Sequence, residues 1–165
     1  MQKNLFYGGE IKASKKKSKH PSWNWVSTKL VREHGPYYGV SVKSPQDVVN
    51  TINDHMDLEN CDKEHFIAMY LDRKGNINAI SIISIGGLSS TQAHPREVFK
   101  PALECSAASV IFVHNHPSGD PTPSAEDKNL TDRLVKAGGI LGIEALDHIV
   151  VGVDKYYSFK ERGLI

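Results

Sequence analysis

The sequence predicts a mixed α/β domain, a partly antiparallel sheet sandwiched by helices. Two patterns carry that reading. Three stretches repeat apolar residues every three to four positions, and between them lie runs of four to nine residues in which apolar side chains alternate or crowd together. Their order is helix, two strands, helix, strand, helix and one or two closing strands, which suits one sheet covered on both faces.

Residues 1–43 read as a flexible arm. The first 20 or so are polar and carry Lys15-Lys16-Lys17-Ser18-Lys19, with too few apolar groups to offset the entropy of ordering them. The lysines could meet nucleic-acid phosphates or simply be solvated. Trp23, Trp25, Tyr37 and Tyr38 could stack bases or pack as a segment against a domain. The folded domain is expected over residues 44–165.

Ser44-Pro45 supplies an N-cap and a proline at N1, and Val48, Val49, Ile52 and Met56 follow at the spacing of an amphipathic helix. From Glu64 the pattern alternates, with His65, Ile67, Met69 and Leu71 on one face and Phe66, Ala68 and Tyr70 on the other, as in a strand buried on both sides. A turn over residues 72–76 and a second strand over 77–85 complete an antiparallel hairpin ended by Gly86-Gly87. Pro95 opens a second helix through Val98, Phe99, Ala102 and Leu103, and Pro101 inside it predicts a kink or a break. Residues 110–113 form a short strand that runs into His114. Ser124 starts a third helix through Leu130, Leu134 and Ala137, closed by Gly138-Gly139. Strand-like runs over 143–153 and 156–159 finish the chain.

Composition narrows the function classes. The 165 residues fit one domain with one core, and 20 Lys+Arg against 19 Asp+Glu leave a formal charge of +1, so no polyanionic partner is favoured by the chain as a whole. The sequence has no apolar run near the roughly 20 residues of a membrane span and no secretory leader, so a cytoplasmic location away from membranes is expected. Cys61 and Cys105 lack any C-x-x-C spacing and read as buried, reduced thiols.

The chemistry concentrates after the 110–113 strand. His114 and His116 are two apart, so on an extended chain both imidazoles point to one side. Asp127 follows eleven residues after His116, on the first turn of the third helix, across a loop able to fold back. Two histidines and a carboxylate leave a fourth tetrahedral position for water, the open arrangement of a catalytic zinc site. The same residues have a plainer reading: Ser124 as N-cap and Asp127 at N3 form an ordinary helix start. Glu97 and His94 read as residues of a helix N-terminus, His148 as a hydrogen-bonded core histidine, and Ser118 and Gly119 as loop-shaping.

The window His114-Asn115-His116-Pro117-Ser118-Gly119-Asp120-Pro121-Thr122-Pro123-Ser124-Ala125-Glu126-Asp127 resembles the JAMM (JAB/MPN+) metalloprotease motif. With His94-Pro95-Arg96-Glu97-Val98-Phe99, Leu146-Asp147-His148-Ile149-Val150-Val151-Gly152 and Tyr157-Ser158-Phe159, the text is similar to RadC proteins over roughly residues 44–164. The resemblance implies a JAB/MPN-like fold with cytidine-deaminase-like layering, and one Zn2+ per chain on His114, His116 and Asp127. It implies further that Glu64 is the general base and that Ser124 hydrogen-bonds the tetrahedral intermediate or positions the water. The implied activity is a zinc-dependent peptidase or isopeptidase acting on a peptide or isopeptide-linked protein. Two alternatives differ in class: a DNA-associated repair or recombination factor of the RadC type, and a non-catalytic MPN scaffold. Longer RadC-like chains carry a helix-hairpin-helix region, and residues 1–43 lack its glycine hairpins. Scaffolds, in turn, lack the ligand set retained here.

Overall fold

Ser44 and Asp47 start the first helix by satisfying each other: the Ser44 hydroxyl accepts the Asp47 N–H at 3.2 Å, and the Asp47 carboxylate accepts the Ser44 N–H at 3.0 Å. The computed structural model describes residues 39–86 and 93–165 and the backbone of two short paired strands, β1 (Leu5–Phe6) and β2 (Gly9–Glu10). The lysine run and the aromatic cluster of the expected arm lie outside the described residues, as does Gly87. Residues 39–42 are tied to the sheet by Val42 N–H donating to Gly75 and Ile77 N–H donating to Val40.

Helix α1 (Pro45–Met56) buries Val48, Val49 and Ile52. After one 3-10 turn that buries Leu58, β3 (His65–Leu71) and β4 (Ile77–Ile85) form the expected antiparallel hairpin. The Asp72 carboxylate closes their turn by accepting the N–H groups of Lys74 and Asn76. Then come α2 (Pro95–Glu104), β5 (Ser109–Asn115), α3 (Ala125–Leu141), β6 (Glu144–Gly152) and β7 (Lys155–Ser158). The sheet order is β4-β3-β5-β6-β7, antiparallel except for the β5–β6 pair, which α3 connects.

The alternation in β3 divides the core as the sequence predicts. Phe66, Ala68 and Tyr70 join Val98, Phe99, Phe112, Leu130 and Leu134 beneath α2 and α3, whereas Ile67, Met69 and Leu71 join Val48, Ile52, Ile111 and Val113 beneath α1. The sheet is therefore covered on both faces by helices, a mixed α/β fold. Because β5 shares this two-sided burial, His114 points with Phe112 and Val110 toward α3.

Several local expectations need correction. The third helix does not close at Gly138-Gly139 but runs to Leu141 and is capped by Gly142 at φ 69°. Gly138 is instead a packing position: a Cβ there would collide with the carbonyl of Ile143 and press on the Phe99 ring. Pro101 does not break α2, which ends only three residues later; Glu97, whose carbonyl loses its helical donor, is exposed and open to water. Leu103 is not on the buried face of α2 but 57% exposed. Cys61 and Cys105 are free thiols, yet half-buried, one on the loop before β3 and the other at the end of α2.

Candidate metal centre

Strand β5 carries His114 to its end and passes His116 just beyond it. His114 is fully buried, and its Nε2 lies 3.0 Å from Nε2 of His116. The loop that follows is held to β6: His116 N–H donates to Val151 at 2.9 Å, and Val153 N–H donates to Gly119 at 3.2 Å. Gly152 permits that contact, since a Cβ there would strike the Gly119 carbonyl. The fold-back brings α3 to the histidines with its first turn foremost.

Asp127 does two things at once. Its backbone N–H is accepted by the Ser124 hydroxyl at 3.0 Å, while its Oδ2 accepts the Ser124 N–H and O–H, each at 2.7 Å. This capping box fixes the carboxylate, leaving Oδ1 3.4 Å from His114 Nε2 and Oδ2 3.5 Å from His116 Nε2. The helix-start reading and the ligand geometry therefore describe one arrangement. One ligand atom from each of His114, His116 and Asp127 lies within 4.8 Å of the others, a group able to hold a metal ion.

Protonation follows from surroundings. Burial lowers the His114 imidazole from its ordinary 6.5 to about 3, outweighing the neighbouring Asp127 charge. His116 moves upward, chiefly through its hydrogen bond with Asp127, and its Nδ1–H donates to the Asp120 carbonyl at 2.7 Å. For Asp127 burial pushes upward, but the His116 bond, the His114 charge and the Ser124 bonds prevail and hold the carboxyl low.

Glu64 immediately precedes β3. The β3–β5 register pairs Phe66 with His114, and continuing it by two residues sets Glu64 across from His116 on the same face. Glu64, His116, Pro117, Ser118, Ser124, Glu126 and Asp127 line one open cleft. All five residues singled out from the sequence thus come together. Glu97 does not: it is exposed on the first turn of α2, paired with Arg96 at 2.9 Å. His94 caps that helix, its Nδ1 accepting Arg96 N–H. His148 is a buried core histidine with both ring nitrogens engaged, by His114 and Thr131.

Three residues went unnoticed in the sequence. Asn115, between the histidines, turns to the opposite face and binds the chain around Glu64. Its signal was there to read: an amide at a strand end suits backbone that the ladder leaves unpaired. Thr131 lies four residues after Asp127 and so on the same helical face. Glu126 lines the cleft, one residue before Asp127.

The RadC-like JAB domain family matches residues 42–164. Among curated relatives, a UPF0758 protein of Syntrophomonas wolfei is 55% identical over 126 residues, covering 75% of this chain and 54% of that protein. One from Desulforamulus reducens is 52% identical over 126 residues, covering 76% and 55%. One from Rubrobacter xylanophilus is 48% identical over 124 residues, covering 75% and 53%. The chain spans about half the length of the curated relatives it matches.

Proposed function

The chain belongs to the RadC-like JAB domain family, and from that membership we propose that it is a zinc-dependent hydrolase of peptide or isopeptide bonds, with one ion on His114, His116 and Asp127. One observation carries the reading: Nε2 of His114, Nε2 of His116 and the carboxylate of Asp127, each able to serve as a metal ligand, turn toward one point. His116 donates its Nδ1–H to the Asp120 carbonyl, so its Nε2 is the atom turned to the carboxylate, which is held by its own capping box, and in the neutral ring that Nε2 is bare. Acceptors facing acceptors repel unless a cation or a proton lies between them. Two nitrogens and one oxygen suit zinc and leave room for water or substrate on the side of the cleft.

His114, His116 and Asp127 would hold the zinc ion, which would supply electrophilic polarisation of a carbonyl and a lowered pKa for water. The protein's residues do the rest. Glu64, across the cleft from His116, takes the proton of the attacking water and delivers it to the leaving amine. Ser124 turns its hydroxyl from Asp127 toward the carbonyl oxygen as that oxygen gains charge. The substrate is a peptide or an isopeptide-linked protein, a reading supported by the resemblance of the window from His114 to Asp127 to the metalloprotease motif, and the open cleft leaves the cluster accessible.

The test is elemental analysis of purified protein together with a panel of peptide and isopeptide-linked substrates. About one zinc per chain, lost in His116→Ala with the activity, is expected. Equal zinc in wild type and variant would sink the assignment.

A further inference from the structure

The ring nitrogen of His114 that faces away from the cluster meets another imidazole rather than a carboxylate or a carbonyl. Its Nδ1 lies 2.8 Å from Nε2 of His148, whose Nδ1 lies 2.6 Å from the Thr131 hydroxyl. That hydroxyl lies 2.7 Å from the Asp127 carbonyl. All four residues are buried. An imidazole either donates or accepts at each nitrogen, so something in the chain must decide which way the protons run.

We infer that Thr131 makes that decision, and that Thr131 and His148 act as positioning residues holding His114 with its proton on Nδ1 and a bare Nε2 toward the cluster. The inference rests on the proposed metal site only for its purpose; the proton order follows from the distances. Two oxygens 2.7 Å apart need a proton between them, and a carbonyl has none, so the Thr131 hydroxyl donates to Asp127. Its only proton is then committed. Thr131 can therefore only accept from His148, which places the His148 proton on Nδ1.

His148 has a single proton to give. It is fully buried among the rings of Phe66, Phe112 and Phe159, the last stacked at 4.9 Å, an apolar enclosure with no carboxylate among the described residues against it that would pair a charged imidazole. Its Nε2 is bare and accepts from Nδ1 of His114, so the second nitrogen of His114 faces the cluster without a proton. The reverse order would leave two oxygen lone pairs opposed at 2.7 Å and drive a proton into the position a cation needs. Histidine ligands commonly donate their far N–H to a partner that fixes the ring, and such partners carry metal affinity. Here the partner's polarity is set one residue further out, by a helix hydroxyl bonded back to the residue that carries the third ligand.

Two readouts test the relay. Long-range proton–nitrogen correlation spectra of metal-free, nitrogen-15-labelled protein report each ring's tautomer directly, and Nδ1–H is expected for both His114 and His148. A proton on Nε2 of His114 would overturn the inference whether or not zinc binds. The second readout is zinc affinity by chelator competition. Thr131→Val keeps the shape but removes the acceptor, and is expected to weaken zinc binding about 10- to 100-fold, whereas Thr131→Ser restores it. Affinity unchanged in Thr131→Val, with the metal-free protein folded, would also overturn it. Wild type that takes up no zinc would refute the proposed function alone, leaving the spectra to decide the relay.

Discussion

The side-chain oxygen of Asn115 accepts the backbone N–H of His65 at 2.8 Å. The same amide donates to the Lys63 carbonyl at 3.1 Å, so the residue between the two histidines grips the chain on both sides of Glu64. Asn115→Ala should lose about 1–3 kcal/mol of stability, the usual consequence of leaving buried backbone groups unpaired. Zinc should stay near wild type, since the ligands are untouched, while turnover falls because Glu64 is no longer held. Urea unfolding, metal analysis and steady-state rates read the three effects separately. Activity that falls only in step with zinc would place the role of Asn115 in the ligands instead.

How far the site was legible depends on the range over which each interaction acts. Ser44, Pro45 and the apolar spacing of α1 are local signals, and so is the two-sided alternation of β3; both elements stand where the sequence predicts them. His114, His116 and Asp127 were readable because strand periodicity and a helix start place them within one short window. Gly138 was misread since its reason is distant: the same residue type ends helices and lets them approach a neighbouring chain, and only the Ile143 carbonyl distinguishes the two. Thr131 and His148 lie seventeen residues apart, joined by a hydrogen bond that no periodicity announces.

That misreading yields a paired test. Gly138→Ala should destabilise by about 1–3 kcal/mol through overpacking against the Ile143 carbonyl and Phe99. Gly139→Ala next to it meets nothing within 4 Å and should be neutral or stabilising by up to about 1 kcal/mol, the helix preference of alanine over glycine. Thermal or urea midpoints of the two variants decide it. Equal losses would mean that α3 ends earlier than Leu141.

Acid should weaken the metal-free protein. His114 is lowered from 6.5 to about 3 by burial, and His148 is lowered well below 6.5 for the same reason. The unfolded chain takes up these protons first, so this stability is complete above pH 6.5 and is lost as pH falls toward 3. His116 runs the other way: its raised value gives stability present below 6.5 and lost as pH rises through the folded value. Urea midpoints of chelator-treated protein across that range measure the net slope. A flat profile below pH 6.5 would mean that the two buried rings accept protons without unfolding.

Asp127→Asn should differ from a simple ligand loss. The amide keeps one oxygen but no charge, so zinc affinity falls, and the bonds from Ser124 to Oδ2 weaken as well. A loss of about 1 kcal/mol in the metal-free protein, the usual scale for a helix cap, is expected alongside the metal defect. Ser124→Ala shares the capping defect and retains the carboxylate, so it should keep most of its zinc. Comparing the two by denaturation and metal titration separates cap from ligand. Zinc retained by Asp127→Asn would remove the carboxylate from the ligand set.

Glu64→Gln separates catalysis from binding. Glutamine keeps the shape and hydrogen-bonding reach of the side chain but cannot take a proton, so zinc content and thermal stability should remain near wild type. Turnover on whichever panel substrate the wild type cleaves should fall by about two to four orders of magnitude, the usual range for losing a general base. The control is chosen by the structure. Glu97 lies away from the cleft in a pair with Arg96, whereas Glu126 lines it and is a carboxylate placed to substitute. Glu126→Gln should therefore change turnover little if Glu64 is the base. Should Glu64→Gln retain full activity while Glu126→Gln loses it, the role passes to Glu126 and the register argument that sets Glu64 across from His116 loses its functional meaning. Should Glu64→Gln lose zinc as well, Glu64 would instead belong among the ligands.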